Sequence, residues 1–256
     1  MTDLIQTSRD GALSIIRMNR PDKKNAITRA MYGAMTEAFH AGEADDAVRC
    51  HVLFGVPGAF SSGNDMQDFL TFAMSGETGL PEVIGFLEAV SGLKKPLVSG
   101  VDGLAIGVGM TVNLHCDLTL ATPRSHFRTP FVDLALVPEA ASSLLVPAIA
   151  GHQRAYAMLA LGLVLNSLHT FTANQARDAG LIWDIVGEEE LESKTLELAN
   201  RLAARAPEAM RITKSLIKGN PEAVRERIYE EANLFGERLR STEARDAFMA
   251  FMSRKK

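Results

Sequence analysis

The feature that most constrains this chain is a glycine-rich segment between a predicted strand and a predicted helix. Residues 99–111 read SGVDGLAIGVGMT, with an apolar strand predicted over residues 96–98 and a helix over residues 110–115. Glycine tolerates positive φ and leaves room for the close approach of other atoms. The first N–H groups of a helix lack partners within the helix and carry a partial positive charge. Such a turn can hold an oxygen atom that is gaining negative charge.

A second segment has the same organisation. A strand is predicted over residues 50–54, the turn GVPGAFSSGND occupies residues 55–65, and a helical pattern begins at Met66. The two turns lie 44 residues apart, which indicates a repeated strand–turn–helix unit. One interpretation is an oxyanion hole in which the main-chain N–H groups of Asn64 and Val108 converge on one oxygen. The other is that both turns simply allow tight packing.

Several other classes of function do not fit the sequence. No Lys-Ser/Thr pair follows the glycines, as a phosphate-binding Walker loop requires. The dinucleotide pattern G-x-G-x-x-G fails because Met110, Thr111 and Val112 follow Gly109. A net charge of −4 gives no sign of the basic surface that binds nucleic acid. No histidine pair has H-x-x-x-H spacing and no C-x-x-C occurs, so we expect no metal site.

The cysteines and the lengths of the apolar runs indicate the cellular compartment of the protein. Cys50 and Cys116 both lie in apolar surroundings and are expected to be free thiols in a reducing compartment. The first residues lack the pattern of a signal peptide, and no apolar run reaches the ~18 residues of a membrane span. We therefore expect a cytoplasmic protein that does not enter a membrane.

The remaining pattern predicts a strand–helix core followed by a helical region. Asp10-Gly11 predicts a hairpin, and Thr28 is predicted to cap a helix that ends near Ala44. A mobile insertion is predicted at residues 75–80. The other predicted elements are helices from Pro81 and over residues 140–150, 152–161 and 173–179, a strand over 181–186, and helices over 188–206, 207–218, 221–239 and 242–254.

Four segments together resemble the crotonase superfamily, which includes enoyl-CoA hydratases and isomerases. They are RPDKKNA at residues 20–26, FSSGND at 60–65, VDGLAIGVG at 101–109 and ARDAGLI at 176–182. The resemblance implies an α/β fold, a spiral of ββα units with a C-terminal helical region that forms trimers, often paired into hexamers. Residues 1–195 would then form the core, and residues 196–256 the helical region.

The resemblance also implies the ligand, an acyl-CoA thioester, with no cofactor beyond the coenzyme A of the substrate. The thioester oxygen would be held by the N–H groups of Asn64 and Val108, the two residues already singled out. The residues expected to contact the acyl-CoA are Lys23, Lys24, Ala26, Ser62, Gly63, Asp65, Gly107, Phe131, Phe251 and Arg254.

Departures from the family pattern narrow the expected reaction. Hydratases of this family use two glutamates to activate water, and Thr111 and Phe131 stand at those positions here. Glu139 instead matches the single glutamate of peroxisomal-type Δ3,Δ2-enoyl-CoA isomerases, which implies a 1,3-proton transfer through an enolate. Without the resemblance, Glu139 after Pro138 would be interpreted as a carboxylate that complements a helix dipole.

Three alternatives remain open from the sequence. A hydratase could use a relocated acid–base group such as Asp65 or Asp133. An acyl-thioester hydrolase could use Ser61 or Ser62, although the G-x-S-x-G pattern is absent. A third possibility is a protein that binds acyl-CoA without catalysis.

Overall fold

The computed structural model describes residues 3–68, 71, 81–161 and 171–253. The predicted insertion at residues 75–80 and the predicted ligand contact Arg254 lie outside these residues. The strands are β1 (Ile5–Asp10), β2 (Leu13–Met18), β3 (Cys50–Phe54), β4 (Ala59–Ser61), β5 (Leu97–Val101), β6 (Leu104–Ile106), β7 (Leu118–Ala121), β8 (His126–Arg128), β9 (Phe171–Thr172) and β10 (Asp184–Ile185). The helices are α1 (Arg29–Ala44), α2 (Pro81–Ser91), α3 (Val108–Thr111), α4 (Ser142–Ala150), α5 (His152–Leu159), α6 (Ala173–Asp178), α7 (Leu191–Ala203), α8 (Pro207–Lys218), α9 (Pro221–Leu239) and α10 (Thr242–Ser253).

The described strands form two sheets. The larger has the order β1-β2-β3-β5-β7-β10, and the smaller has the order β4-β6-β8-β9. Each of the pairs β3/β4, β5/β6 and β7/β8 contributes one strand to each sheet and then leads into a helix, which is the ββα unit that the resemblance implied. The crotonase-like fold is therefore confirmed. Because β4, β6 and β8 pair in parallel, the turns that follow them lie at the same edge of the smaller sheet.

Several elements predicted from local sequence patterns are present in the structure. The hairpin pairs β1 with β2 in antiparallel register around Gly11. The side chain of Thr28 accepts a hydrogen bond from the N–H of Met31 at 3.3 Å and begins α1. All five residues of β3 and of β5 are buried, as expected for parallel strands covered on both faces.

Several predicted elements are shorter or shifted in the structure. The helix after the second glycine turn begins at Val108 rather than at residue 110, because Gly107, with φ 56° and ψ −123°, ends the strand immediately before it. Only Asp184–Ile185 of the predicted strand over residues 181–186 forms a strand, because its register with β7 covers two residues. Leu181 is instead buried in the core, and its N–H closes the end of α6 on the carbonyl of Ala176 at 2.9 Å.

The C-terminal helices pack on the sheet and on earlier helices. Ala199 of α7 is buried in one cluster with Cys50, Val52 and Val98, and α9 packs against α2. The predicted division at residues 195/196 falls within α7 and stays a prediction. Cys50 is buried and Cys116 half-buried, and both are free thiols. Among the described residues, none of the helices has the length and apolar character needed to cross a bilayer.

Candidate active site

The two glycine turns meet at one edge of the smaller sheet. They follow β4 and β6, which are neighbours in parallel register. A Cβ atom on Gly63 would lie 3.0 Å from the carbonyl oxygen of Ile106, and a Cβ atom on Gly107 would lie 3.9 Å from the Cα of Gly63. Gly63 has φ 93° and Gly107 has φ 56°, backbone angles that residues with a side chain rarely adopt. The backbones of the two turns therefore touch, as glycine allows.

The N–H groups of Asn64 and Val108 lie in the two turns, beyond the ends of β4 and β6. Ile27 makes both hydrogen bonds of its parallel bridge with this turn, donating to the carbonyl of Gly63 at 2.8 Å and accepting from the N–H of Asp65 at 2.9 Å. That register leaves the N–H of Asn64 directed away from Ile27. Val108 is the first residue of α3, where helical N–H groups have no partner within the helix. Within the described part of the chain, neither N–H donates to a backbone carbonyl.

The early loop is held against the first turn by a buried asparagine that the sequence did not single out. Asn25 is fully buried, and its amide donates to the carbonyls of Met18, Ala59 and Phe60 at 3.0–3.2 Å. The main-chain carbonyl of Asn25 accepts a hydrogen bond from the hydroxyl of Ser61 at 2.8 Å. The loop sequence KKNA contained this residue, but only the fold shows what its amide binds.

The exposed lysines of the early loop lie beside the first turn. The carbonyl of Lys24 accepts from the N–H of Ser62 at 2.9 Å, and the carbonyl of Lys23 accepts from the Ser62 hydroxyl at 3.2 Å. Both lysines are exposed, and Ala26 follows them in the same loop. Three predicted ligand contacts of the early loop therefore lie next to Ser62 and Gly63.

Asp65 is fixed by an ion pair with Arg20. The Arg20 guanidinium donates to Oδ2 of Asp65 at 2.6 Å, and the N–H of Gln67 donates to Oδ1 at 2.8 Å. Partial burial raises the pKa of Asp65, but the hydrogen bonds from Arg20 and Gln67 outweigh it and hold the pKa below its usual value. A carboxylate held in this way anchors the turn and is a weak proton acceptor. Arg20 is a second residue of this site that sequence reasoning missed.

Glu139 is buried and bonded to Thr111. Glu139 is only 8% exposed, and its Oε1 accepts a hydrogen bond of 2.5 Å from the Thr111 hydroxyl. Burial raises the pKa of Glu139 to about 8; the Thr111 hydrogen bond opposes this rise and the charge of Glu231 adds to it. From the sequence, Thr111 was notable only because it stands where hydratases have a glutamate. The structure shows that it is the hydrogen-bond partner of Glu139.

The backbone after Glu139 makes a strained turn rather than the start of a helix. Ala140 and Ala141 have φ 60° and 56°, and the N–H of Ser142 donates to the carbonyl of Glu139 at 3.0 Å. These are features of a type I′ turn, which usually contains glycine or asparagine. A left-handed residue with a Cβ costs roughly 1–2 kcal/mol. Helix α4 therefore begins at Ser142, not at residue 140, and the carboxylate of Glu139 is bonded to Thr111 rather than to the helix N-terminus.

Tyr32 connects the first turn with the surroundings of Glu139. Its hydroxyl donates to Oδ1 of Asn64 at 2.5 Å, and the residue is 1% exposed. Burial raises the pKa of Tyr32, and the nearby charge of Glu139 raises it further. Tyr32 therefore links two parts of the site: it is bonded to Asn64 in the first turn, and it senses the charge of the Glu139 carboxylate. The sequence gave no signal for Tyr32, because it lies within an amphipathic helix.

The other candidate residues lie in different settings. Phe131 is buried in the loop after β8, and Phe251 of α10 is partly exposed. Asp133 is paired with Arg128 at 2.6 Å on the surface. In the residues that the structure describes, the hydroxyls of Ser61 and Ser62 donate to main-chain carbonyls and form no hydrogen bond with a histidine. The hydrolase alternative therefore lacks a base in this part of the chain.

Across the described ranges, no three His, Cys, Asp or Glu side chains come together in a way that could hold a metal ion. The geometry instead combines a buried carboxylate with two main-chain N–H groups, at touching turns, that donate to no main-chain carbonyl of the described residues. That combination suits proton transfer next to a carbonyl group.

Comparison with known proteins places the chain in a family. The family model for enoyl-CoA hydratase/isomerase matches residues 8–256. The chain belongs to the enoyl-CoA hydratase/isomerase family. This match and the likeness to proteins named enoyl-CoA delta isomerases identify it as an enzyme of that family.

Relatives within the enoyl-CoA hydratase/isomerase family include enzymes of both kinds. The chain is 34% identical over 260 residues to enoyl-CoA delta isomerase 2 of Rattus norvegicus, covering 98% of this chain and 64% of that protein. It is 32% identical over 263 residues to the peroxisomal enoyl-CoA delta isomerase 3 of Mus musculus, covering 99% and 79%. A more distant relative, at 25% identity over 258 residues, is 2,3-dehydroadipyl-CoA hydratase of Escherichia coli.

A solved structure of similar fold is that of Pseudomonas aeruginosa OdaA. Its TM-score is 0.90 and its identity 37%, covering 98% of this chain and 99% of that one. The similarity in fold therefore extends over nearly the whole chain.

Proposed function

We propose that this protein is a Δ3,Δ2-enoyl-CoA isomerase that moves a proton from C2 to C4 of a 3-enoyl thioester. The observation that carries the proposal is the arrangement around Glu139, a buried carboxylate bonded to Thr111 and linked through Tyr32 to the first glycine turn. At the two positions where the family's hydratases have glutamate, this chain has Thr111 and Phe131.

The reaction needs one base and one site for negative charge. Glu139 removes a proton from C2, and the electron pair moves into the thioester carbonyl, so that its oxygen becomes an enolate oxygen. The N–H groups of Asn64 and Val108 stabilise that charge. The protonated Glu139 then gives its proton to C4, and the double bond lies between C2 and C3.

The environment of Glu139 suits the base in this reaction. A carboxylate whose pKa is raised to about 8 is a stronger proton acceptor than an exposed one. At pH 7, such a group is ionised in roughly one molecule in ten. The hydrogen bond from Thr111 occupies Oε1, and among the described residues Oε2 of Glu139 accepts no hydrogen bond. We assign proton transfer to Oε2.

The CoA part of the substrate is assigned to the early loop and the end of the C-terminal region. Lys23 and Lys24 place two positive charges beside the first turn, where phosphate groups can be attracted. Phe251 and Arg254, at the C-terminal end, stay predicted contacts.

Assembly as a trimer or hexamer also stays a prediction. Helix α8 exposes Leu216 and Ile217 at 78% and 80%, and such a surface fits contact between copies of the chain. Light scattering at micromolar concentration tests this assignment, and a stable, fully active monomer would refute it.

The decisive experiment separates isomerisation from hydration. Purified protein is incubated with a 3-enoyl-CoA and, separately, with a 2-enoyl-CoA, and the products are resolved by chromatography and mass spectrometry. We expect interconversion of the two enoyl isomers with little or no 3-hydroxyacyl-CoA. Addition of water at C3 as the main product would identify a hydratase, release of free CoA a hydrolase, and binding without turnover a non-catalytic protein.

A further inference from the structure

A second buried carboxylate lies close to the strained turn that carries Glu139. Glu231 belongs to α9 and is 4% exposed. Its Oε1 accepts a hydrogen bond of 2.9 Å from the N–H of Ser143, the second residue of α4. Its Oε2 is buried and has no hydrogen-bond partner in the part of the chain that the structure describes. A buried carboxylate with one unbonded oxygen is unfavourable for stability, and an apolar residue of similar size is often tolerated better.

The position of Glu231 connects it with the geometry of Glu139. The turn of Ala140 and Ala141 is in the left-handed region, which alanine leaves unless other contacts hold it there. On one side, Nε2 of His115 donates to the carbonyl of Ala140 at 2.9 Å. On the other side, Glu231 holds the N–H of Ser143, directly after the turn. The turn is therefore fixed from both ends by buried groups on elements that are distant in sequence.

We propose that Glu231 is a positioning residue for Glu139: by holding Ser143 it fixes the left-handed Ala140–Ala141 turn, and so the placement of the Glu139 carboxylate against Thr111. This inference rests on the proposed function in so far as Glu139 is the base. Among the described residues, Glu231 forms no hydrogen bond with Glu139, and in this assignment it does not bind the substrate. Its action passes through the backbone and through its charge.

The charge of Glu231 gives the proposal an observable that a purely structural contact lacks. The negative charge of Glu231 contributes to the raised pKa of Glu139, after the larger effect of burial. Among the described residues, the other polar groups around Glu139 and Glu231 include the Thr111 hydroxyl, Tyr32 on α1, the His115 ring and Arg227 on α9. The Arg227 guanidinium donates to the Ser143 hydroxyl at 3.0 Å. Burial, together with the nearby Lys218 charge, lowers the pKa of His115 to about 4, so its ring stays neutral over the working pH range.

Two variants of Glu231 separate its two effects. Glu231→Gln keeps an oxygen that can accept from Ser143 and removes the charge. Glu231→Ala removes both. Glu226→Gln is the matched control, because Glu226 lies on the same helix and is exposed. Each variant is measured for kcat and KM with a 3-enoyl-CoA, for the pH dependence of kcat, and for thermal stability.

We expect Glu231→Ala to lower kcat by about 10- to 100-fold with little change in KM, since small displacements of a catalytic group cost that much. Glu231→Gln should keep kcat within about 3-fold at its optimum, but the rising acid limb of its pH profile should move to lower pH, because a neighbouring negative charge is gone. Glu226→Gln should match the parent in both respects. An unchanged kcat in a folded Glu231→Ala variant, or an unchanged pH profile in Glu231→Gln, would overturn the proposal.

A measurement without substrate keeps this inference separate from the proposed function. The Glu139 carboxyl carbon can be titrated by NMR in protein labelled with ¹³C at glutamate, with Glu139→Gln identifying its signal. Glu231→Gln is expected to lower the measured pKa, and Glu226→Gln to leave it unchanged. If the parent protein fails to isomerise but the Glu139 pKa falls in Glu231→Gln, the proposed function is wrong and the electrostatic relation stands. An unchanged pKa refutes the relation whatever the activity.

Discussion

Thr111 donates a hydrogen bond of 2.5 Å to Oε1 of Glu139, and it does so from the helix that follows the second glycine turn. The distance between the two residues in sequence is 28, so the contact is made by the fold. The short helix that begins with the Val108 N–H group therefore also carries the hydroxyl that orients the proposed base. Moving one end of α3 would disturb both groups.

Replacing Thr111 by Val tests this contact with little change in side-chain shape. The hydrogen bond lowers the pKa of Glu139, so its loss should raise that pKa above about 8 and move the rising limb of the activity profile to higher pH. Each pKa unit lowers the ionised fraction at pH 7 by about tenfold. The rate at pH 7 should fall more than the rate at pH 9, measured as kcat over pH 6–10.

A suitable control is Thr195→Val, because Thr195 is also buried but donates its hydroxyl to the carbonyl of Leu191 within α7. It should leave the pH profile unchanged. A Thr111→Val enzyme with the parent profile would mean that this hydrogen bond has no part in setting the state of the base.

Glu139→Gln should abolish isomerisation while acyl-CoA affinity stays nearly intact. The substitution keeps the shape of the side chain and removes the proton acceptor, and a positioned base contributes about 10²–10⁴-fold to a rate. Asp65→Asn and Asp133→Asn should be much milder, because both carboxylates are held in ion pairs with arginine. Turnover is followed with a 3-enoyl-CoA and affinity by calorimetry. Near-native turnover in Glu139→Gln would require another acid–base group.

The same Glu139→Gln variant should be more stable than the parent at pH 8 but not at pH 4. The folded-state pKa of Glu139 is about 8, above its ordinary value of 4.5, so folding holds a proton that the unfolded chain has released. The parent therefore loses stability as pH rises from about 4.5 to 8, and glutamine does not. Each pKa unit corresponds to about 1.4 kcal/mol, and a domain of this size gains about 2–4 °C in Tm per kcal/mol.

Differential scanning calorimetry of both proteins between pH 4 and pH 9 checks this prediction. The Tm difference should grow with pH in favour of Glu139→Gln. A constant difference across this range would show that the pKa of Glu139 is the same in the folded and unfolded states.

Gly107→Ala and Gly219→Ala should cost similar stability but differ in activity. Gly107 has φ 56° and ψ −123°, Gly219 has φ 70° and ψ −133°, and alanine is strained in both. A Cβ on Gly219 would meet open space, and a Cβ on Gly107 would lie 3.9 Å from the Cα of Gly63, an ordinary contact, so both substitutions act through backbone strain. Only Gly107→Ala should displace the Val108 N–H group, with a loss of about 10²–10³ in kcat. Equal kcat in the two variants would remove Val108 from the proposed oxyanion hole.

Lys24→Ala and Arg254→Ala should weaken acyl-CoA binding, more at low salt than at high salt. In the proposed site, the charge of Lys24 would attract the phosphate groups of CoA through solvent, and such interactions are screened within about 10 Å at 0.1 M salt. Lys94→Ala is the matched control, since Lys94 is also exposed but lies in the loop before β5. Calorimetry at two ionic strengths measures the effect. Unchanged affinity in both variants would discard the assignment of the CoA contacts.

The sequence by itself determined the local features of this fold. Thr28 capped α1, Asp10-Gly11 closed the hairpin, and Thr172 with Gln175 formed a capping box at the start of α6. Each depends on residues only a few positions apart, so side-chain chemistry and backbone preference suffice. The glycine turns were predictable for the same reason, because glycine adopts positive φ with less strain than other residues.

Tertiary structure alone decided the state and the partners of Glu139. Alanines after Glu139 favour a helix in isolation, yet contacts from His115 and Glu231 hold two of them in the left-handed region. The Thr111 hydrogen bond and the burial that raises the Glu139 pKa likewise join segments far apart in the chain. Burial and charge depend on distances in space, and the spacing of residues along the sequence does not contain them until parallel strand pairing has brought the turns together.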